Sequence, residues 1–110
     1  MSAPTGKMGE FVRPESIFRD EIGGDKYPVC GDRYHLYVSY ACPWATRVLV
    51  TRGLLGIEDA LPVSAVHPLM EATKPDVEGD THKGWMFKTD PKFPWATGDL
   101  VNNKETVRAI

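Results

Sequence analysis

The sequence predicts an α/β fold centred on a strand–helix–strand unit between residues 34 and 66. Three observations support this prediction. Residues 34–40 form a short aromatic and β-branched run, which is typical of a strand. Residues 43–56 carry apolar side chains at helical spacing, and a second strand-like run follows in 61–66. Because the connection between the two runs contains a helix, the two strands are expected to be parallel.

The ends of these elements are indicated by residues that interrupt regular structure. Gly31 and Pro43 bound the first strand, and Pro43 suits the first turn of a helix because its missing N–H has no partner there. Gly56 lies where a helix commonly ends in a left-handed residue. His67 and Pro68 follow the second strand, and we expect His67 to have a cap or surface role rather than a catalytic one.

The N-terminal segment, residues 1–32, is predicted to be an irregular lead-in to a single domain over residues 33–110. It is rich in glycine, proline and charge, a composition that favours turns over regular structure. Its isolated apolar residues are expected to act as anchors, and they are Phe11, Ile17, Phe18 and Ile22.

The C-terminal part of the sequence contains more loop than regular structure. Residues 71–84 are polar and residues 88–99 contain two prolines and a glycine, so both are predicted to be loops. A final helix is predicted over 104–110, capped by Asn102 or Asn103.

The composition excludes several classes of protein. The formal charge of -2, with no basic cluster, argues against a nucleic-acid partner. The most apolar run, 44–55, contains Arg47 and Arg52, which argues against a membrane partner. Two cysteines, Cys30 and Cys42, do not make a disulfide framework, and we expect free thiols in a reducing compartment, the cytoplasm.

Cys42 is the strongest candidate for a chemical role. It directly precedes Pro43, which makes it the N-cap of the predicted helix. There its sulfur would face the backbone N–H groups near Trp44 and Ala45 and the positive end of the helix dipole. Both favour the thiolate, which is the nucleophile in exchange at sulfur. A structural role stays open, because cysteines are often small buried hydrophobes. We expect no catalytic role for Cys30, which has no helix behind it.

The run around Cys42 resembles a known active-site signature. Residues 33–45, Arg-Tyr-His-Leu-Tyr-Val-Ser-Tyr-Ala-Cys-Pro-Trp-Ala, are similar to the signature of the glutathionyl-hydroquinone reductases, which are xi-class glutathione transferases. That family usually continues with His and then Arg, whereas this sequence has Thr46 and Arg47. The resemblance covers most of the chain after residue 10, with further similar runs at 54–59, 63–70, 84–87 and 103–108.

The resemblance implies that residues 33–110 are the N-terminal part of a thioredoxin-like domain. It implies a reaction in which Cys42 takes the glutathionyl group from a glutathionyl-hydroquinone and a second glutathione resolves the mixed disulfide. Glutathione is then a co-substrate, and no tightly bound cofactor is expected. The resemblance is also compatible with a homodimer of the full-length protein. Trp85 is implied as a glutathione contact, although it can also be interpreted as a core aromatic residue. Ala45 stands where a C-x-x-C motif has its second cysteine, which favours this monothiol route.

Parts of that family's pattern are missing from the 110 residues. They lack the cis-proline loop and the Glu-Ser pair that bind glutathione, and the all-helical C-terminal domain. We therefore expect either a fragment of a longer protein or a truncated gene product, with an incomplete core, an exposed sheet edge and weak or no binding of glutathione. Trp44 is expected to pack the helix onto its surroundings. The three histidines are far apart in the sequence and suggest no metal site.

Two alternatives stay open. One is a non-catalytic thioredoxin-like binding module that keeps the thiol of Cys42 only as structure. The other is a different cysteine-type glutathione transferase, of the omega or dehydroascorbate reductase type, because these enzymes also place Cys-Pro at this turn. The length of the resemblance on both sides of Cys42 disfavours the second alternative.

Overall fold

The computed structural model of the protein describes residues 6–110, and the chain divides into two compact units, Met1–Cys30 and Gly31–Ile110. Residues 6–30 contain turns and extended chain. The prediction of apolar anchors in this segment is wrong, because without a regular period the turns leave these side chains in solvent. The exposed residues are Phe11, Ile17, Phe18 and Ile22.

The second unit is built on the predicted strand–helix–strand arrangement. Strand β1 spans Leu36–Val38, helix α1 spans Pro43–Leu54, and strand β2 spans Val63–Ala65. The two strands pair in parallel over their whole length, beginning with Leu36 opposite Val63. The parallel prediction is therefore confirmed, although both strands are shorter than the sequence pattern indicates.

Helix α1 has the predicted ends to within two residues. It begins at Pro43, and Cys42 is the N-cap in extended backbone, with φ -98° and ψ 118°. It ends at Leu54, and Gly56 follows the C-cap residue in the left-handed conformation, with φ 66°. Glycine adopts this conformation without steric cost, which explains why the helix ends here. No helix among residues 6–110 has the length and apolar character needed to cross a membrane.

A small antiparallel hairpin follows β2. Strands β3, Glu71–Ala72, and β4, Lys83–Gly84, pair with each other. The prediction of a loop over 71–84 is thus wrong at both ends of that segment. Backbone N–H and C=O groups can pair whatever side chains they carry, so a polar composition does not prevent this pairing.

The hairpin is tied to the end of the chain through Arg108. Its Nη1 donates to both carboxylate oxygens of Asp80, at 2.8 Å each, and to Oγ1 of Thr73 at 3.2 Å. Nδ1 of His82 lies 2.8 Å from the same threonine oxygen. The hydrogen bond from Arg108 lowers the pKa of Asp80, and the same bond raises the pKa of Arg108.

The last residues form a short 3-10 helix, Val107–Ala109, instead of the predicted helix over 104–110. Neither Asn102 nor Asn103 caps it. Asn103 has a left-handed φ of 54°, whereas an N-cap residue normally has extended backbone. The cap is Thr106, whose φ is -137° and whose hydroxyl accepts a backbone N–H of the helix at 3.2 Å.

The core is small and centres on the two parallel strands. Helix α1 contributes no buried residue to it. The buried apolar residues are Val38, Ala65, Val66, Phe87 and Ala96, and the buried polar residues are Ser39, Ser64, His67 and Thr106.

Residue Thr97, in the loop predicted over 88–99, pairs with the outer side of β2. Its Oγ1 accepts the N–H of Ala65 at 3.0 Å, and its own N–H donates to the carbonyl of Ala65 at 3.0 Å. The prediction of a loop is confirmed, but the prediction of an exposed sheet edge is wrong at this position.

Candidate functional site

A cavity of about 200 Å³ lies beside the first turn of α1. It brings together Cys42 and Trp85, the two residues named as site residues from the sequence. The side chains that line it are mostly apolar, so the thiol and a few polar atoms are its reactive features. The lining residues are Tyr37, Val38, Ser39, Cys42, Ala45, Val66, Trp85 and Val107.

Cys42 is held at this cavity by backbone hydrogen bonds on both sides. Its N–H donates to the carbonyl of Ser39 at 3.1 Å, and its carbonyl accepts the N–H of Thr46 at 3.4 Å, the first bond of the helix. Its thiol is half-buried and not in a disulfide. The sulfur accepts no hydrogen bond from an N–H of the helix.

Trp85 reaches the cavity from the segment that follows β4. Its carbonyl accepts the N–H of Val107 at 3.1 Å, and Phe87 donates its N–H to the carbonyl of Glu105 at 2.8 Å. Phe87 is buried, whereas Trp85 keeps part of its surface exposed. The core aromatic residue of this pair is therefore Phe87.

Trp44 does not pack the helix onto its surroundings, so that prediction is wrong. Its side chain is 64% exposed, and the guanidinium of Arg47 lies 4.7 Å from the centre of its ring. The two residues are three positions apart on α1 and therefore lie on the same face. A cation–π contact of this kind keeps the ring at the helix surface.

Tyr37 is a wall residue that the sequence analysis missed. Its ring lies 5.5 Å from Phe87 and 5.0 Å from His35, measured between ring centres. Its hydroxyl donates to Oδ1 of Asp99 at 2.9 Å and accepts from Nδ2 of Asn102 at 3.1 Å. Burial and then the Asp99 carboxylate raise the pKa of Tyr37. The hydroxyl thus stays protonated and holds the ring in one position.

Asp99 organises the loop behind Tyr37. Burial by itself would raise the pKa of Asp99, but four hydrogen bonds to its carboxylate outweigh burial. They come from the N–H groups of Asn102, Val101 and Lys104 and from the Tyr37 hydroxyl. Together they lower the pKa of Asp99 to about 2, from an ordinary value of 3.8.

The other wall residues that the sequence analysis did not single out are Val38, Ser39, Val66 and Val107. Side-chain alternation along a strand does not identify them, because three consecutive residues, Tyr37, Val38 and Ser39, all line the cavity. No local signal marks Val107, which reaches the cavity only through its pairing with Trp85.

His67 is buried, with 2% of its surface exposed, and lies outside the cavity lining. Its Nδ1 accepts the N–H of Leu69 at 3.3 Å, so Nε2 carries the proton that is donated to Asp90 across 3.1 Å. The N–H of Lys92 and then His67 lower the pKa of Asp90. His67 therefore caps a backbone group, as predicted, but from the interior rather than the surface.

The remaining candidate residues take no part in the cavity. Cys30 is exposed. Nε2 of His35 lies 2.7 Å from Oγ of Ser64, which also accepts the N–H of Leu100 at 3.1 Å. Within residues 6–110, no three His, Cys, Asp or Glu side chains are grouped so that they could hold a metal ion.

No protein-family model matches the chain. Over 106 residues it is 42% identical to the glutathionyl-hydroquinone reductase YqjG of Escherichia coli. That match covers 88% of this chain and 29% of the relative. It is 40% identical over 108 residues to the glutathione S-transferase omega-like 2 of Schizosaccharomyces pombe, over 96% of this chain and 30% of the relative.

A similar solved structure is that of the glutathione S-transferase Xi from Phanerochaete chrysosporium, with a TM-score of 0.77 and 40% identity. The match covers 96% of this chain and 31% of the solved chain. The chain thus spans about 30% of the length of the relatives that it matches. The fold is therefore that of an N-terminal, thioredoxin-like part of a glutathione transferase.

The chain belongs to the glutathione transferase family, in the group of the xi-class enzymes and glutathionyl-hydroquinone reductases, and corresponds to their N-terminal part.

Proposed function

We propose that the protein reduces glutathionyl-hydroquinones to hydroquinones, with glutathione as reductant and a mixed disulfide on Cys42 as intermediate. The observation that carries this proposal is that Cys42, at the N-cap of α1, lines one cavity with Trp85. The positive end of the helix dipole at this position favours a thiolate. The name of the Escherichia coli relative supports the choice of substrate.

In the first step, the thiolate of Cys42 attacks the sulfur of the glutathionyl group. A disulfide bond forms, and the bond from that sulfur to the aromatic ring carbon breaks. The electron pair stays on the ring carbon, which takes a proton, so the ring is reduced and the sulfur atoms are oxidised. In the second step, a glutathione thiolate attacks the glutathionyl sulfur, which releases Cys42 and oxidised glutathione.

In this proposal, Trp85, which lines the cavity, contacts the glutathionyl group. No second protein thiol takes part in the reaction. Ala45 stands three positions after Cys42 and also lines the cavity, so an apolar methyl group occupies the place of a resolving cysteine. An external glutathione then has to supply the second thiol, which agrees with glutathione as a co-substrate and with no tightly bound cofactor.

The test compares the two cysteines as a matched pair. The chain is incubated with a glutathionyl-hydroquinone, and each variant is analysed by mass spectrometry. The parent and Cys30→Ser chains are expected to gain about 305 Da, the mass of glutathione less two hydrogens, at Cys42. Cys42→Ser is expected to gain nothing, because a serine hydroxyl forms no disulfide. An adduct on Cys30 alone would contradict the proposal.

A full-length protein that carries this sequence permits the corresponding test of turnover. Cys42→Ser is expected to abolish reduction of glutathionyl-hydroquinones, whereas Cys30→Ser leaves it largely intact. Full activity in Cys42→Ser would overturn the assignment of the nucleophile.

A second candidate is an activity of the omega or dehydroascorbate reductase type, favoured by the omega-like name of the Schizosaccharomyces pombe relative. It uses the same cysteine chemistry on another substrate. Comparing turnover of a glutathionyl-hydroquinone with turnover of dehydroascorbate by the full-length protein distinguishes the two. Faster turnover of dehydroascorbate would favour this second candidate.

A third candidate, the binding module, is favoured by the absence of a hydrogen bond from the first turn of α1 to the sulfur of Cys42. It requires an unreactive thiol. An iodoacetamide reaction of Cys42 at pH 6 that is no faster than that of a free cysteine would favour it.

The location and assembly of the protein are also proposals. Cys42 is not in a disulfide, which fits the reducing cytoplasm, where disulfides are rare. Fractionation of cells that express the tagged full-length protein tests this location. A homodimer is proposed for the full-length protein only, and sedimentation of that protein tests it.

A further inference from the structure

The chain reaches Cys42 through a tight turn that begins at Ser39. The N–H of Cys42 donates to the Ser39 carbonyl at 3.1 Å, and the N–H of Ala41 donates to Ser39 Oγ at 3.2 Å. Serine side chains commonly accept the N–H two residues ahead at the start of a turn. In consequence, the side chains of Ser39 and Cys42 line the same cavity.

Ser39 is buried, and its hydroxyl accepts one hydrogen bond but donates none to residues 6–110. Ser39 is 6% exposed, and its oxygen accepts the N–H of Ala41. A serine hydroxyl has one proton to donate as well. No acceptor within residues 6–110 takes this proton, and no hydrogen bond joins the side chains of Ser39 and Cys42. Because buried donors normally have an acceptor, a molecule bound in the cavity is the natural source of one.

Ser64, the other serine in the core, provides a comparison for the hydroxyl of Ser39. It is completely buried, lies 2.7 Å from Nε2 of His35 and accepts the N–H of Leu100 at 3.1 Å. Its hydroxyl thus has two polar partners inside the protein, and it does not line the cavity. Among residues 6–110, the hydroxyl of Ser39 has the N–H of Ala41 as its partner and faces the cavity instead.

We propose that Ser39 is a substrate-binding residue whose hydroxyl donates a hydrogen bond to the glutathionyl group held against Cys42. Glutathione carries amide carbonyl oxygens close to its sulfur, and these are good acceptors. The neighbouring walls formed by Val38, Val66 and Val107 are apolar, so the Ser39 hydroxyl helps to fix how the peptide lies while its sulfur meets the thiolate. This inference rests on the proposed function, because it assumes glutathione chemistry at Cys42.

The test measures the rate at which Cys42 reacts with three reagents, in a Cys30→Ser background where Cys42 is the only thiol. Oxidised glutathione carries the peptide acceptors, bis(2-hydroxyethyl) disulfide lacks them, and iodoacetamide reports the thiolate alone. Ser39→Ala and Ser39→Gly are expected to lower the rate with oxidised glutathione about tenfold, the equivalent of one hydrogen bond. The other two rates should change by less than about twofold, since the thiolate itself is unaltered.

Two further variants separate a ligand contact from a structural effect. Ser39→Thr keeps a hydroxyl at the same position and is expected to retain the rate with oxidised glutathione. Ser64→Ala removes a buried hydroxyl outside the cavity, and it is expected to lower thermal stability without a selective loss for oxidised glutathione. Ser39→Gly also removes the hydroxyl, and glycine is well tolerated in turns. It therefore serves as a second test if alanine disturbs the turn before Cys42.

The outcomes are distinct. Equal losses with all three reagents, unchanged rates in Ser39→Ala and Ser39→Gly, or failure of both variants to fold would each overturn the role of Ser39. If the selective loss is observed but the chain forms no adduct with a glutathionyl-hydroquinone, the proposed function fails and the glutathione contact stands. If that adduct forms without a selective loss, the inference about Ser39 fails alone.

Discussion

The hydroxyl of Tyr37 donates a hydrogen bond of 2.9 Å to Oδ1 of Asp99, which joins the wall of the Cys42 cavity to the loop that follows Gly98. The same carboxylate accepts the N–H groups of three loop residues. One ionised side chain thus holds both a cavity wall and the backbone of the loop, and its protonation should loosen both.

We expect Asp99 to make stability depend on acid pH. Its pKa in the folded chain is about 2, below the ordinary 3.8, so its contribution is present above about pH 4 and is lost as pH falls towards 2. Asp99→Asn should therefore lower the melting temperature at pH 7, and the difference from the parent should shrink towards pH 2. Thermal melts across this range test the prediction. Asp76→Asn, an exposed carboxylate, is the control. A difference that is the same at every pH would contradict the prediction.

Replacement of the thiol of Cys42 should leave the fold intact. Cys42 is the N-cap of α1 but its side chain makes no cap hydrogen bond, whereas serine is a strongly preferred cap. We expect Cys42→Ser to be more stable than Cys42→Ala by about 1 kcal/mol, the usual difference between these residues at an N-cap. Urea unfolding of both variants measures this difference. Equal stability would show that the serine hydroxyl does not cap the helix.

Binding of reduced glutathione to the 110-residue chain should be weak or undetectable. The cavity is about 200 Å³, and the cis-proline loop and Glu-Ser pair that the family resemblance leads us to expect are not in the sequence. Calorimetric titration tests this prediction, and the Cys42→Ser chain serves to exclude disulfide exchange. A dissociation constant in the low micromolar range would mean that other residues of the chain make the binding site.

His67 should stabilise the fold without affecting the chemistry at Cys42. It is buried, accepts the N–H of Leu69, donates to Asp90 and does not line the cavity. His67→Ala removes a buried ring and leaves that N–H without its partner, which should cost roughly 2–3 kcal/mol. Urea unfolding measures the loss, and the iodoacetamide rate of Cys42 in the folded variant should match that of the parent. A slower reaction would link His67 to the site.

The sequence by itself determined the features that depend on neighbouring residues. Pro43 lacks an N–H and Gly56 adopts a positive φ without strain, so each marks a helix end through its own covalent structure. Cys42 directly precedes Pro43 and is therefore the N-cap, and the helix between two strand-like runs leads to parallel pairing. These predictions are confirmed because they need no information about distant parts of the chain.

Only the tertiary structure decided which distant residues meet. The pairing of Val107 with Trp85, the bond from Tyr37 to Asp99 and the burial of His67 join residues far apart in the sequence. Such contacts depend on how each turn closes and on which backbone groups find partners, and side-chain types in a local run do not specify this. The hairpin at 71–84 was missed for the same reason, because its strands are held by backbone groups that every residue possesses.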